Sequence, residues 1–176
     1  MHAIEDHRRI IALLKHELVP AMGCTEPVAV ALCAARAAEL LGTLPERVKV
    51  ELSMNVLKNA MGVGIPGTGM IGLPIAIFLG MRIGKSSYGL EVLKDNHAQA
   101  VEEGKQYIEE GRISIALDEN APDGLYIKVH AEGDGRTSEA IICGEHTRFI
   151  YEAIDDEVLR KEDVKARASE EHDEPT

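Results

Sequence analysis

The sequence predicts an α+β fold, with several helices packed on a small mixed or antiparallel sheet and a C-terminal antiparallel meander. Apolar residues recur at helical spacing through much of the first half, and they alternate at strand spacing through the second half. Turn-forming runs, Asn120-Ala121-Pro122-Asp123-Gly124 and Gly133-Asp134-Gly135, punctuate that second half.

The elements follow in order. Ile10, Leu14 and Leu18, with Ile11 beside them, put an apolar stripe on an amphipathic helix from Asp6 to Val19, which Pro20 ends. A second helix starts near Cys24 or Thr25. Thr25 suits an N-cap, and Pro27 is tolerated in a first turn. It runs through an alanine-rich stretch to Leu41 and stops at Gly42. It is apolar on nearly every side, so burial is expected. Val48, Val50 and Leu52 alternate with polar residues, which predicts a strand with one buried face. A glycine-rich loop is expected directly after it, then an apolar helix from about Gly72 to Met81. The loop Gly84-Lys85-Ser86-Ser87 leads to a polar helix including Asp95 to Glu110. Strands are expected over Ile113–Leu117, Leu125–Ala131, Ala140–Cys143 and Thr147–Ile150. Residues 1–154 read as one α+β domain. Residues 155–176 carry mixed charge and read as an exposed helix, linker or tail.

Composition removes several function classes. The formal net charge is −11 and aromatics make up 3% of the chain, which supplies neither the basic footprint nor the stacking rings of a nucleic-acid binder. An acidic surface repels anionic membranes, and no apolar run reaches the roughly 20 residues of a spanning helix. The N-terminal residues lack the basic and apolar regions of a signal peptide, so a cytoplasmic location is expected. Cys24, Cys33 and Cys143 are widely spaced, with no CxxC pair, so neither a disulfide framework nor a self-contained metal site is expected.

The candidate chemistry centres on Gly23-Cys24-Thr25-Glu26-Pro27. The first N–H groups of a helix are unpaired and carry partial positive charge. A thiolate is favoured there, and the thiolate is the form that acts as base, nucleophile or ligand. The alternative is a small buried thiol at a tight turn. Cys33 and Cys143 read as core. Gly62, Gly64, Gly67, Gly69 and Gly72 lie close together between a strand and a helix. Successive free N–H groups in such a loop can hold a carboxylate or phosphate. The competing reading is a tight crossover. The run is neither a Walker motif nor a dinucleotide fingerprint. Asn55, Lys58, Asn59 and Thr68 are polar groups placed to help bind an anion, and each alone also reads as a cap or surface residue. His146 lies in or beside a strand, where a lone histidine is usually structural. Glu26 could assist proton transfer, although an acidic residue in a first helical turn needs no functional reason. His97 is expected to face solvent.

Several runs together resemble the L-cysteine desulfidase family, which is related to the iron–sulfur-dependent L-serine dehydratases. They are Pro20 to Pro27, Asn55-Val56-Leu57-Lys58-Asn59, Gly62 to Met70, Gly72-Leu73-Pro74-Ile75-Ala76, Gly89 to Lys94, and Gly144-Glu145-His146-Thr147. Their order and spacing agree from near residue 10 to near residue 151. Glu145 departs from the glycine expected there. The resemblance implies a lyase that converts L-cysteine or L-serine to pyruvate and ammonia, with hydrogen sulfide from cysteine. It implies Cys24 as general base. The glycine-rich loop would hold the substrate carboxylate, with Gly67, Thr68 and Gly69 joining Asn55, Lys58, Asn59 and His146 in the amino-acid site. It also implies a 4Fe–4S cluster in the complete enzyme, acting as Lewis acid. The family's cluster ligands lie in a C-terminal portion that these residues do not match, so no cluster is expected on this chain alone. A C-terminal half or partner subunit would supply it, and a homo-oligomer is a further expectation. The alternatives are a non-catalytic amino-acid- or anion-binding module and a structural subunit of a split enzyme.

Overall fold

The alanine-rich run forms the central helix, α1 (Glu26–Leu41), in a computed structural model that describes residues 25–61, 64–65 and 70–162. Small side chains around its whole circumference let neighbours approach from every side. Only Glu26, Arg36 and Glu39 escape full burial. Gly42 ends the helix in the left-handed conformation, φ 88°, with its N–H donated to the Ala38 carbonyl at 2.9 Å. Thr25 occupies the N-cap position but makes no side-chain capping bond. The expected helix over Asp6 to Val19 lies outside the described residues.

One face of α1 lies on a six-stranded sheet, in the order β4-β1-β5-β6-β7-β8. The strands are β1 (Arg47–Leu52), β4 (Ile113–Leu117), β5 (Tyr126–Gly133), β6 (Arg136–Cys143), β7 (Phe149–Ile154) and β8 (Glu157–Lys161). β1 and β4 are parallel, and the other neighbours are antiparallel. Alternation explains which side is buried: Val48, Val50 and Leu52 face the core, as do Ile127, Val129 and Ala131. Two buried bonds join helix to sheet. Ser138 Oγ donates to the Ala37 carbonyl at 2.6 Å, and the Cys33 thiol donates to the Ala140 carbonyl at 3.3 Å.

The far side of α1 is covered by α3 (Gly72–Ile83), which in turn carries α4 (Ala98–Glu109). Gly80 makes the first of these contacts possible. A Cβ there would lie 2.2 Å from the Ala31 carbonyl oxygen. Phe78 and Tyr107 stack at 5.0 Å between centroids across the second contact. Leu32, Leu73, Ile75, Phe78 and Leu79 are sealed inside, each contributing about 1.5–3 kcal/mol of burial.

The α+β class is therefore observed, and three local expectations are corrected. The glycine-rich stretch does not follow β1 directly: α2 (Met54–Met61) intervenes. Its apolar positions Val56 and Ala60, one turn apart, are buried while Asn55, Lys58 and Asn59 are exposed. The described part of that stretch is a ribbon of two short strands, β2 (Gly64–Ile65) and β3 (Met70–Ile71), paired antiparallel. Finally, residues 157–161 are neither helix nor linker but the edge strand β8, hydrogen-bonded to β7. Charge alone disguised it: every residue of β8 is exposed, so no buried face imposed an apolar alternation. A smaller adjustment concerns His97. It is exposed as expected, but it also caps α4, its Nδ1 accepting from Ala100 N at 3.2 Å.

Candidate functional site

One end of the sheet gathers most of the described candidate residues. β1 and β4 finish there at Leu52 and Leu117, which are register partners. β5 begins there at Tyr126, opposite the last residue of β6, Cys143. β7 begins beside them at Phe149. The carboxyl end of adjacent parallel strands is a place where open sheets leave a crevice for ligands.

Ser53 organises the β1 side of this end. Its hydroxyl donates to the Gly124 carbonyl at 2.8 Å and accepts from Tyr126 N at 3.2 Å. Its own carbonyl accepts the N–H of Leu57, which starts the hydrogen bonding of α2. A cleft of about 550 Å³ lies between the start of α2 and the loop from Asp118 to Gly124, with Asn55 on one wall and Asp118, Glu119 and Asp123 on the other. The acidic loop opposes anion binding and favours an ammonium group. Lys58 and Asn59 follow Asn55 on the exposed face of α2, three and four residues on.

The turn between β6 and β7 forms the other side. Gly144 takes φ 85°, a left-handed conformation that suits glycine. The turn is closed by Cys143 N donating to the Arg148 carbonyl at 3.2 Å and by Arg148 N donating to the Glu145 carbonyl at 3.1 Å. Gly144 N donates to the Leu125 carbonyl at 3.0 Å, which anchors the turn to β5. His146 is thereby presented toward the start of α1. Its Nε2 lies 3.5 Å from Glu26 Oε1, across 120 residues of sequence. A carboxylate beside an imidazole can orient the ring and fix its tautomer, the arrangement that proton transfer uses.

Cys24 immediately precedes the described start of this helix. It lies outside the described residues, as do Gly67, Thr68 and Gly69. Among the sequence-predicted residues that are described, Glu26 and His146 meet directly. Asn55, Lys58 and Asn59 share the same end of the sheet on α2.

The other two thiols are poor reagents. Burial pushes the Cys33 thiol far up, and its proton is held by backbone carbonyls. Burial and the nearby Asp123 push Cys143 up to about 11, while Arg148 pulls it down. Neither is available as thiolate near neutral pH. Among the described residues, no group of three His, Cys, Asp or Glu side chains is close enough to hold a metal ion.

Arg148 was not singled out from sequence. Its guanidinium folds back over the turn, with Nη1 3.6 Å from where a Cβ on Gly144 would lie. Its Nε is buried without a hydrogen-bond partner, and it forms no ion pair with the described carboxylates. The available signal was a basic residue two positions after His146 in a strongly acidic chain.

A UPF0597 protein of Bacteroides fragilis is 61% identical over 154 residues, which is 88% of this chain and 36% of that protein. A UPF0597 protein of Phocaeicola vulgatus is 57% identical over 175 residues, 99% of this chain and 41% of that protein. One of Aeromonas hydrophila is 48% identical over 153 residues, 87% and 34% respectively. This chain is similar to UPF0597 proteins. It spans about 36–41% of the length of the first two of these relatives. Their shared name states no activity. No family model matches the chain.

Proposed function

We propose that this chain forms part of a lyase resembling the L-cysteine desulfidases and L-serine dehydratases, acting on L-cysteine or L-serine. The observation that carries the reading is the contact between Glu26 and His146, 3.5 Å apart. Glu26 and His146, each from a different run quoted for the resemblance, meet at one end of the sheet. Asn55 and the strand ends that open the cleft are at that same end.

In this reading Cys24, two residues before α1 in the sequence, removes the substrate Cα proton. Glu26 holds His146 in place, and the imidazole exchanges a proton with the departing β-substituent. Asn55 and the acidic loop opposite it favour the substrate ammonium. A 4Fe–4S cluster would supply Lewis acidity when bound. Its ligands would belong to another part of the longer protein or to a partner subunit, because Cys33 and Cys143 are sealed and raised.

Pyruvate release by the complete protein, incubated anaerobically with L-cysteine and with L-serine, tests the reading. Turnover of one substrate is expected. Replacement Cys24→Ala should lower kcat by about a hundredfold or more, the range of general-base effects. His146→Gln should lower it by a smaller factor. An unchanged kcat in Cys24→Ala would remove the assigned base. Binding of either amino acid without turnover would favour the alternative of a binding module, for which the cleft beside Asn55 is the supporting feature.

A further inference from the structure

The turn from Gly144 to Arg148 carries a charge that joins no ion pair with a described residue. The chain is acidic, with a formal net charge of −11, and carboxylates are plentiful. Of the seven described arginines, five are paired: Arg36 and Arg160 with Glu152, Arg82 with Glu103, Arg112 with Glu110, and Arg136 with Asp155; of the other two, Arg47 is exposed to water. Arg148 is half-buried, has a buried Nε without an acceptor, and joins none of these pairs. Leaving a buried donor of a cationic group unsatisfied is costly unless a ligand completes it. The guanidinium is planar and forked, which matches a carboxylate through two parallel bonds.

Its place is as telling as its lack of a partner. Arg148 closes the same turn that presents His146 to Glu26, and its backbone is fixed by two hydrogen bonds, its carbonyl accepting from Cys143 N and its N–H donating to the Glu145 carbonyl. Asp123, whose charge acts on Cys143 in opposition to that of Arg148, is committed to its own loop: its Oδ1 accepts from Leu125 N at 2.9 Å.

We propose that Arg148 binds the carboxylate of a small amino acid at this site and so fixes which end of the substrate faces His146. The inference rests on the lyase reading for the identity of the substrate. It differs from that reading in assigning the anion to a side chain rather than to the glycine-rich loop alone. Arg148 thus acts as a specificity residue: ligands without a carboxylate lose it, and ligands with one keep it whatever their β-substituent.

Calorimetric titration of the full chain tests the assignment, with L-serine, L-cysteine, ethanolamine and inorganic phosphate as separate titrants. The unaltered chain is expected to bind L-serine or L-cysteine more tightly than ethanolamine or phosphate. Arg148→Gln should weaken amino-acid binding by about tenfold or more, as loss of a charge-assisted contact predicts, and Arg148→Lys should restore part of it. Arg82→Gln, which breaks an exposed pair far from the turn, should leave binding unchanged. The thermal midpoint of Arg148→Gln should equal or exceed that of the unaltered chain, because an unpaired charge is removed; a purely structural arginine would lower it. Undiminished amino-acid binding in Arg148→Gln, tighter binding of phosphate than of L-serine, or no binding by the unaltered chain would each overturn the proposal. Arg148-dependent binding without pyruvate release by the complete protein would leave the carboxylate site standing and sink the lyase reading. Pyruvate release with Arg148-independent binding would do the reverse.

Discussion

Arg36 and Arg148 sit on opposite sides of the same contrast between a closed flank and an open end. On the flank, Glu152 is almost fully buried and accepts from Arg36 on α1 and from Arg160 on β8. Arg36 also reaches Glu39 at 3.2 Å, and Glu39 in turn accepts from Ser86 N at 2.7 Å. Every charge in that cluster has a partner, so its chemistry is consumed in holding α1, β7, β8 and the 3-10 turn Ser86–Glu91 together. At the end of the sheet, Arg148 joins no ion pair with a described residue, His146 makes a long contact to Glu26, and a cleft is open beside Asn55. Saturated polar groups stabilise, whereas unsaturated ones at a rigid turn are free to bind.

The largest expected effect lies at the contact between α1 and α3. Gly80→Ala places a methyl group 2.2 Å from the Ala31 carbonyl oxygen, a backbone atom that cannot rotate away. The expected loss is about 3 kcal/mol, measured as a lowered urea midpoint with an unchanged slope. Failure of the protein to lose stability would mean that α1 and α3 are further apart than described.

Glu152→Gln comes next. The carboxamide keeps the shape but cannot offer two charged acceptors to Arg36 and Arg160. About 1.5–3 kcal/mol should be lost for the bonds to a charged group, toward the lower value because both arginines are partly exposed. Arg148→Gln should by comparison change stability by less than about 0.5 kcal/mol, or raise it. If the two substitutions cost the same, the distinction between the closed flank and the open end has no energetic basis.

The sequence made the core legible and the rim much less so. The alanine-rich run from Val28 to Leu41 could only be a buried helix, and the alternation at Val48–Leu52 and Ile127–Ala131 could only be strand. Asp134 and Gly135 both take positive φ, 54° and 72°, as the predicted hairpin requires. Helix α2 was hidden because its eight residues bury few side chains and abut a glycine-rich stretch. Strand β8 was hidden because it buries nothing. Of the site, local signals identified the Gly-Cys-Thr-Glu-Pro run and His146. Their meeting was not readable, since it depends on the register that brings the end of β6 alongside the start of α1. Arg148 was invisible for a different reason: a missing partner cannot be seen until the neighbours are known.

The finest test of the contrast uses Cys143 as a reporter of the charge beside it. Burial and Asp123 raise its thiol from an ordinary value near 9 to about 11, and Arg148 opposes that rise. Because the folded thiol holds its proton more tightly than the unfolded one, stability is unaffected below about pH 9 and falls as pH rises toward about 11. Thiolate absorbance of a Cys24→Ala chain should therefore show a midpoint near 11 for Cys143, well before Cys33, whose thiol is raised further by complete burial. Arg148→Gln should move that midpoint upward. A bound carboxylate, by neutralising the guanidinium, should move it in the same direction in the unaltered chain and not in Arg148→Gln. A midpoint indifferent to both changes would place the guanidinium away from the thiol, and with it away from the turn that presents His146.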